Sequence, residues 1–116
     1  MSEVLEITKT EGKGFIIMRL KGRLESVTSA TLTKAVEEWS LGAHGHLLFD
    51  CNELKYVSSA GLRIFLTCNK QGKTDGWMFA LFGVQSMVVD VLRISGFNQI
   101  LKIFPDEASA IAAFAT

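Results

Sequence analysis

The chain has 116 residues, 48% of them hydrophobic, with 12 basic side chains balanced by 12 acidic ones. That is the length of one domain, taken here as 1–116, and enough apolar content for a core without disulfide or metal staples. The charge balance leaves no basic surface for nucleic acid and no polybasic anchor for an anionic membrane.

Val4 to Thr10 sets Leu5 and Ile7 against Glu6 and Thr8, the alternation of a half-buried strand. Glu11-Gly12-Lys13-Gly14 is turn chemistry, and Phe15 to Lys21 is a second β-rich run, so the two form an antiparallel hairpin. Gly22-Arg23-Leu24-Glu25 breaks the strand. Ser26, Thr28 and Ser29 are all N-cap candidates for a helix whose stripe is Leu32, Ala35, Val36 and Trp39 and whose stop is Gly42. His46 to Cys51 is short and apolar, as a strand buried on both faces would be, and Asp50-Cys51-Asn52-Glu53 is expected to end it. Leu54, Tyr56 and Val57 lead into Ser58-Ser59-Ala60-Gly61. Helical spacing then runs through Leu62, Phe65 and Leu66, with Gly72 as the stop and Lys70 and Lys73 at the negative end. Trp77 to Val84 reads as a further buried strand. A helix opens at Gln85-Ser86, turns Val88, Val91 and Leu92 inward and ends at Gly96. Ile100 to Phe104 is a last strand, and Asp106 caps a last helix carrying Ala110, Ile111 and Phe114.

The predicted order is β-β-α-β-α-β-α-β-α: an α/β fold with a mixed, mostly parallel sheet of four to five strands and about four helices. The start, Met1 to Glu6, lacks a basic region and an apolar run, so no secretory leader is expected and the chain reads as cytoplasmic. Trp77 to Val84, the longest apolar run, is too short to span a bilayer. Cys51 and Cys68 read as buried free thiols. His44 and His46 flank a glycine and read as exposed loop residues without further ligands, so neither metal nor cofactor is expected.

In an open α/β sheet, sites gather beyond the carboxyl ends of the strands, which is where Ser58-Ser59-Ala60-Gly61 falls. The first amides of a helix lack backbone partners, and the helix dipole favours negative charge there. A phosphate on a hydroxyl at this point brings about −1.5 to −2 charges. The domain would tolerate it, whereas a partner packed on the same patch would not. Pattern alone favours plain N-capping, and Gly61 fits close packing of the helix on the sheet.

Tyr56-Val57-Ser58-Ser59-Ala60-Gly61-Leu62-Arg63, following a strand with Asp50, resembles the signature of the STAS domain. Gly22-Arg23-Leu24-Glu25 is similar to that family's Gly-x-Leu-Asp, and Ser95-Gly96-Phe97 to its Ser/Thr-Gly-Leu/Phe. The resemblance covers essentially the whole chain. It implies an anti-sigma factor antagonist of bacterial type, a monomer or weak dimer. Such a protein binds an anti-sigma factor that is a serine kinase, is released when phosphorylated, and is restored by a phosphatase. Aligned on Gly61, the family's Asp-Ser-Ser/Thr-Gly places the acceptor at Ser59, with Ser58 second, the aspartate at Ser58 and the second hydroxyl at Ala60. Glu25, Ser58, Ser59, Ala60, Gly61 and Arg63 become the partner-binding set. Arg63 either pairs with a phosphate on Ser59, contacts the partner or lies solvated. A STAS subunit of a membrane transporter is the alternative. An enzyme with Ser59 as nucleophile is a further one, but it lacks a base near Ser59 and a Gly-x-Ser-x-Gly elbow. Gly12-Lys13-Gly14, in a hairpin turn, is no phosphate loop.

Overall fold

The computed structural model describes residues 4–42 and 45–114; His44 and the Met1–Glu3 start lie outside them. Alternating side chains pair β1 (Leu5–Gly12) with β2 (Phe15–Leu24) in antiparallel register, from Leu5↔Gly22 to Gly12↔Phe15. Lys13 and Gly14 make the turn. Gly14 sits at φ 85°, a left-handed conformation that glycine enters without a Cβ clash. β3 (His46–Val57), β4 (Phe79–Phe82) and β5 (Lys102–Phe104) add in parallel, giving one five-stranded sheet in the order β1-β2-β3-β4-β5.

The helices are α1 (Ser26–Leu41), α2 (Ser59–Asp75), α3 (Ser86–Ser95) and α4 (Glu107–Phe114), in the expected order. The two faces of the sheet are covered unequally. Met18, Leu20, Phe49, Leu54, Phe79 and Leu81 point to one face and join Leu32 and Val36 of α1, Leu62 and Phe65 of α2, and Val88 and Leu92 of α3 in the larger core. Their neighbours Ile17, Leu48, Ala80 and Phe82 point to the other face, where α4 supplies Ala110 and Phe114. Phe49 and Phe79 meet edge-on at 4.8 Å, and Trp39 of α1 meets Trp77 edge-on at 4.9 Å.

Several boundaries differ from the sequence expectation. β3 does not end at Asp50-Cys51-Asn52-Glu53 but continues to Val57. Asp50 Oδ1 accepts hydrogen bonds from Asn52 N at 2.9 Å and Asn52 Nδ2 at 2.8 Å. The pairing slips there, between Arg19↔Asp50 and Lys21↔Glu53, and slips again before Arg23↔Tyr56. Such bulges bend the strand without ending it. Gly72 does not stop α2, which runs on to Gly76 at φ 85°. Gly72 instead lies within the helix, where an added Cβ would meet Trp77 O at 2.4 Å. The N-cap of α1 is Glu25, one residue before the candidates. Thr28 Oγ1 accepts from Glu25 N at 2.9 Å and donates to Arg23 O at 2.7 Å. β4 and β5 are shorter than expected, because β5 pairs only with Ala80 to Phe82. His46 is not a loop residue; it opens β3, and its Nδ1 accepts from Met78 N at 2.9 Å.

Candidate functional site

β2 and β3 run side by side to their last residues, Leu24 and Val57, which pair directly. Glu25 and Ser58 follow them, so the starts of α1 and α2 stand next to each other at the carboxyl edge of the sheet. Leu24 O accepts a hydrogen bond from Ser58 N at 2.9 Å, which ties the two turns together. Gly61 lets α2 settle onto this edge. A Cβ there would meet Leu24 Cγ at 2.7 Å and Val57 Cγ1 at 2.8 Å. Gly61 is accordingly buried, and its visible work is packing.

The two serines differ in access. Ser59 is exposed, at the first position of a 17-residue helix. The hydroxyl oxygen of Ser58 is buried and meets no partner. Ser58 is the N-cap, with φ −89° and ψ 177°, but no side chain caps α2, and no acidic residue lies in its first turn. The positive end of this helix is therefore offset neither by a capping side chain nor by an acid in its own first turn.

The structure brings together the residues singled out from sequence. Glu25 is half-buried and pairs with Arg23, its Oε2 3.3 Å from Nε. The Arg23 guanidinium lies 4.2 Å over the Tyr56 ring. Ala60 and exposed Arg63 line a groove of about 280 Å³ between α1 and α2. The α1 side of that groove, with Ser29, Thr33 and Glu37, was not singled out from sequence; these polar residues carry no motif. Val27, 82% exposed in the first turn of α1, was missed as well. Its signal was an apolar residue within the polar run Ser26 to Ser29.

The rest of the chemistry lies elsewhere. Arg19 Nη1 donates to Asp50 Oδ2 and to Glu107 Oε1, both at 2.8 Å, and so joins β2, β3 and α4. The Glu107 and Asp50 hydrogen bonds hold the arginine pKa above its ordinary value. Burial pushes the Asp50 carboxyl up, but hydrogen bonds from the Asn52 backbone, Arg19 and the Asn52 side chain outweigh it and leave it below the usual value. Cys51 and Cys68 are buried free thiols. Burial, with Asp50 adding to it, raises Cys51; burial alone pushes Cys68 up to about 12. Among the described residues, no group of three or more His, Cys, Asp or Glu side chains is placed to hold a metal, and no helix is long and apolar enough to cross a membrane. His46 opens the 12-residue strand that Val57 closes. At about 3.3 Å per residue, that places it roughly 35 Å from Ser59, far beyond the reach of a general base.

Known proteins resemble this chain in sequence or in fold. BtrV of Bordetella bronchiseptica, named as an anti-sigma factor antagonist, is 29% identical over 112 residues, 97% of each chain. An anti-sigma factor antagonist from Mycobacterium paratuberculosis superposes with a TM-score of 0.86 at 17% identity, over 95% of this chain and 93% of that one. The antagonist SpoIIAA superposes in its unphosphorylated form with a TM-score of 0.79 at 15% identity, over 91% of this chain and 93% of that one. SpoIIAA from Bacillus in its phosphorylated form gives 0.72 at 15% identity, over 96% and 99%. At such identities the structural likeness is one of fold. Residues 6–110 match the sequence model of the STAS domain, and the chain belongs to that family.

Proposed function

We propose that this chain is an anti-sigma factor antagonist. It binds an anti-sigma factor that is also a serine kinase and thereby frees the sigma factor. The observation that carries the reading is the exposed hydroxyl of Ser59 at the start of α2, beside the half-buried Glu25 and next to a serine whose hydroxyl is buried. In support, a relative matched along 97% of its length is named as an anti-sigma factor antagonist, and a structural neighbour has been solved in both phosphorylated and unphosphorylated forms.

The switch is a phosphoryl transfer. Ser59 Oγ attacks the γ-phosphorus of a nucleoside triphosphate held by the kinase. An oxygen–phosphorus bond forms, the bond to the bridging oxygen breaks, the diphosphate leaves with the electron pair, and the hydroxyl proton passes to a base on the kinase. The new charge sits at a helix start, so the domain keeps its fold. The partner, packed on Glu25, Ala60, Arg63 and the exposed Val27, must accommodate that charge and its hydration, and the complex dissociates. A phosphatase resets the serine by hydrolysis.

The test is binding of the cognate anti-sigma kinase to three proteins. Wild type and Ser59→Ala bind alike, and only the former accepts phosphate. Ser59→Asp binds more than tenfold more weakly with a nearly unchanged Tm. Equal binding by wild type and Ser59→Asp rules the switch out, and phosphate incorporation lost in Ser58→Ala moves the acceptor to Ser58.

A further inference from the structure

The start of α2 carries two unmet hydrogen-bonding capacities at once. Ser58 Oγ is buried without a partner, and a buried hydroxyl left unpaired destabilises a fold. The Ser58 backbone already has the extended conformation of an N-cap, yet no side chain caps the helix. Its first amides have no capping side chain and no acid within the first turn, and Ser59 stands exposed beside them.

We infer that Ser58 is a ligand for the phosphate on Ser59. With a phosphoryl group on Ser59, the Ser58 hydroxyl turns about χ1 and donates to a phosphate oxygen, while the first-turn amides of α2 serve the other oxygens. This rests on Ser59 as the acceptor. An ionised oxygen takes a stronger hydrogen bond than a neutral one, so the orphaned hydroxyl gains more from this partner than from water. A carboxylate at position 58, as in the Asp-Ser pattern that this segment resembles, would meet the phosphate with like charge. The hydroxyl meets it with a donor. The modified state of this chain is therefore held more firmly, and the doubly ionised phosphate is favoured over the singly ionised one. Other charges act on the same group. Arg63, one turn on, pulls in the same direction; Glu25 opposes, its charge offset by Arg23 at 3.3 Å.

The experiment uses the full chain with phosphoserine genetically encoded at position 59, so neither kinase nor partner enters. The second ionisation of the phosphate is followed by ³¹P NMR. In the folded protein it falls below that of the same chain in urea. Ser58→Ala raises it by about 0.4–1 pH unit, the span of one ordinary net hydrogen bond, and does so in an Arg63→Ala background as well. Identical titrations for wild type and Ser58→Ala, both folded by circular dichroism, overturn the inference. If instead the kinase never modifies Ser59, the functional reading fails while this titration still reports on Ser58.

Discussion

Gly61→Ala tests how tightly α2 is seated on the sheet edge that carries Ser59. The added methyl meets Leu24 Cγ at 2.7 Å, Val57 Cγ1 at 2.8 Å and Leu24 Cδ2 at 2.9 Å. Both neighbours are buried, Leu24 at 0% and Val57 at 4% exposure, so neither side chain can swing into solvent. Overpacking of this kind costs about 1–3 kcal/mol. Against it stands the helix preference of alanine over glycine, about 1 kcal/mol. The net is a loss of roughly 0–2 kcal/mol. Gly72→Ala, in the same helix, supplies the internal standard. There the obstacle is the backbone oxygen of Trp77 at 2.4 Å, held because Trp77 N donates to Gly72 O at 2.9 Å. Backbone yields less readily than a leucine tip, so Gly72→Ala loses more. Urea unfolding with matched m-values gives both numbers. A Gly61→Ala protein more stable than wild type by the full helix preference would refute the close seating of α2, and with it the role given to Gly61.

Phe65→Ala, which empties a wholly buried site against Phe49 and Phe79, loses about 3–5 kcal/mol in urea unfolding. Leu41→Ala, at a position 89% exposed, stays within about 0.5 kcal/mol, and a comparable loss at both sites would refute the core assignment. Asp50 gives a pH signature. Its folded pKa lies below the unfolded value, so its stabilisation is present above about pH 4 and is lost as pH falls through the folded pKa. Asp50→Asn therefore flattens the acid limb of the stability profile, and an unchanged limb would show that the Arg19 and Asn52 contacts do not act on the charge. Cys51 and Cys68 resist a thiol reagent at pH 8 in the native protein and both react in urea; rapid native labelling would contradict their burial.

Element order and helix faces were legible because they depend on spacing. Leu32, Ala35 and Val36 put one stripe inward wherever the helix sits, and Gly96 ends α3 at φ 81° as its position implied. The end of β3 was not legible. Asp50-Cys51-Asn52-Glu53 has the composition of a turn, and only the partner strand shows that Asp50 turns its own oxygen back to Asn52 and lets pairing resume at Glu53. Gly72 misled for a related reason. A glycine followed by Lys73 imitates a helix end, while its true cause is the Trp77 carbonyl, which packs against it from across the loop. At the candidate site the pattern offered two adjacent serines and a cap. Alignment on Gly61 selected Ser59, and the unequal burial of the two hydroxyls is a property of the strand pairing beneath them.

That pairing also explains why the serine stands where a partner can reach it. β4 stops at Phe82, opposite Asp50, whereas β3 continues to Val57 with only β2 beside it. With β1 flanking β2 as far as Gly22, the edge beneath α1 and α2 is a three-stranded ribbon that narrows to β2 and β3 alone at Arg23-Leu24 and Tyr56-Val57. Its two-stranded tip is marginal alone and needs a packed face. Leu24, Leu54 and Val57 supply that face toward the larger core, and Gln85 Nε2, at the cap of α3, braces Asn52 O at 2.6 Å. The bulges add twist where the ribbon leaves the sheet, which re-aims the strand ends that carry Glu25 and Ser58. Substitutions at the exposed brace between Asn52 and Gln85 act on the orientation of Ser59 before they act on global stability, whereas substitutions at buried Leu24, Leu54 or Val57 do the reverse. A loss of partner binding from a change at Asn52 or Gln85, without a matching fall in Tm, is the form that such coupling takes.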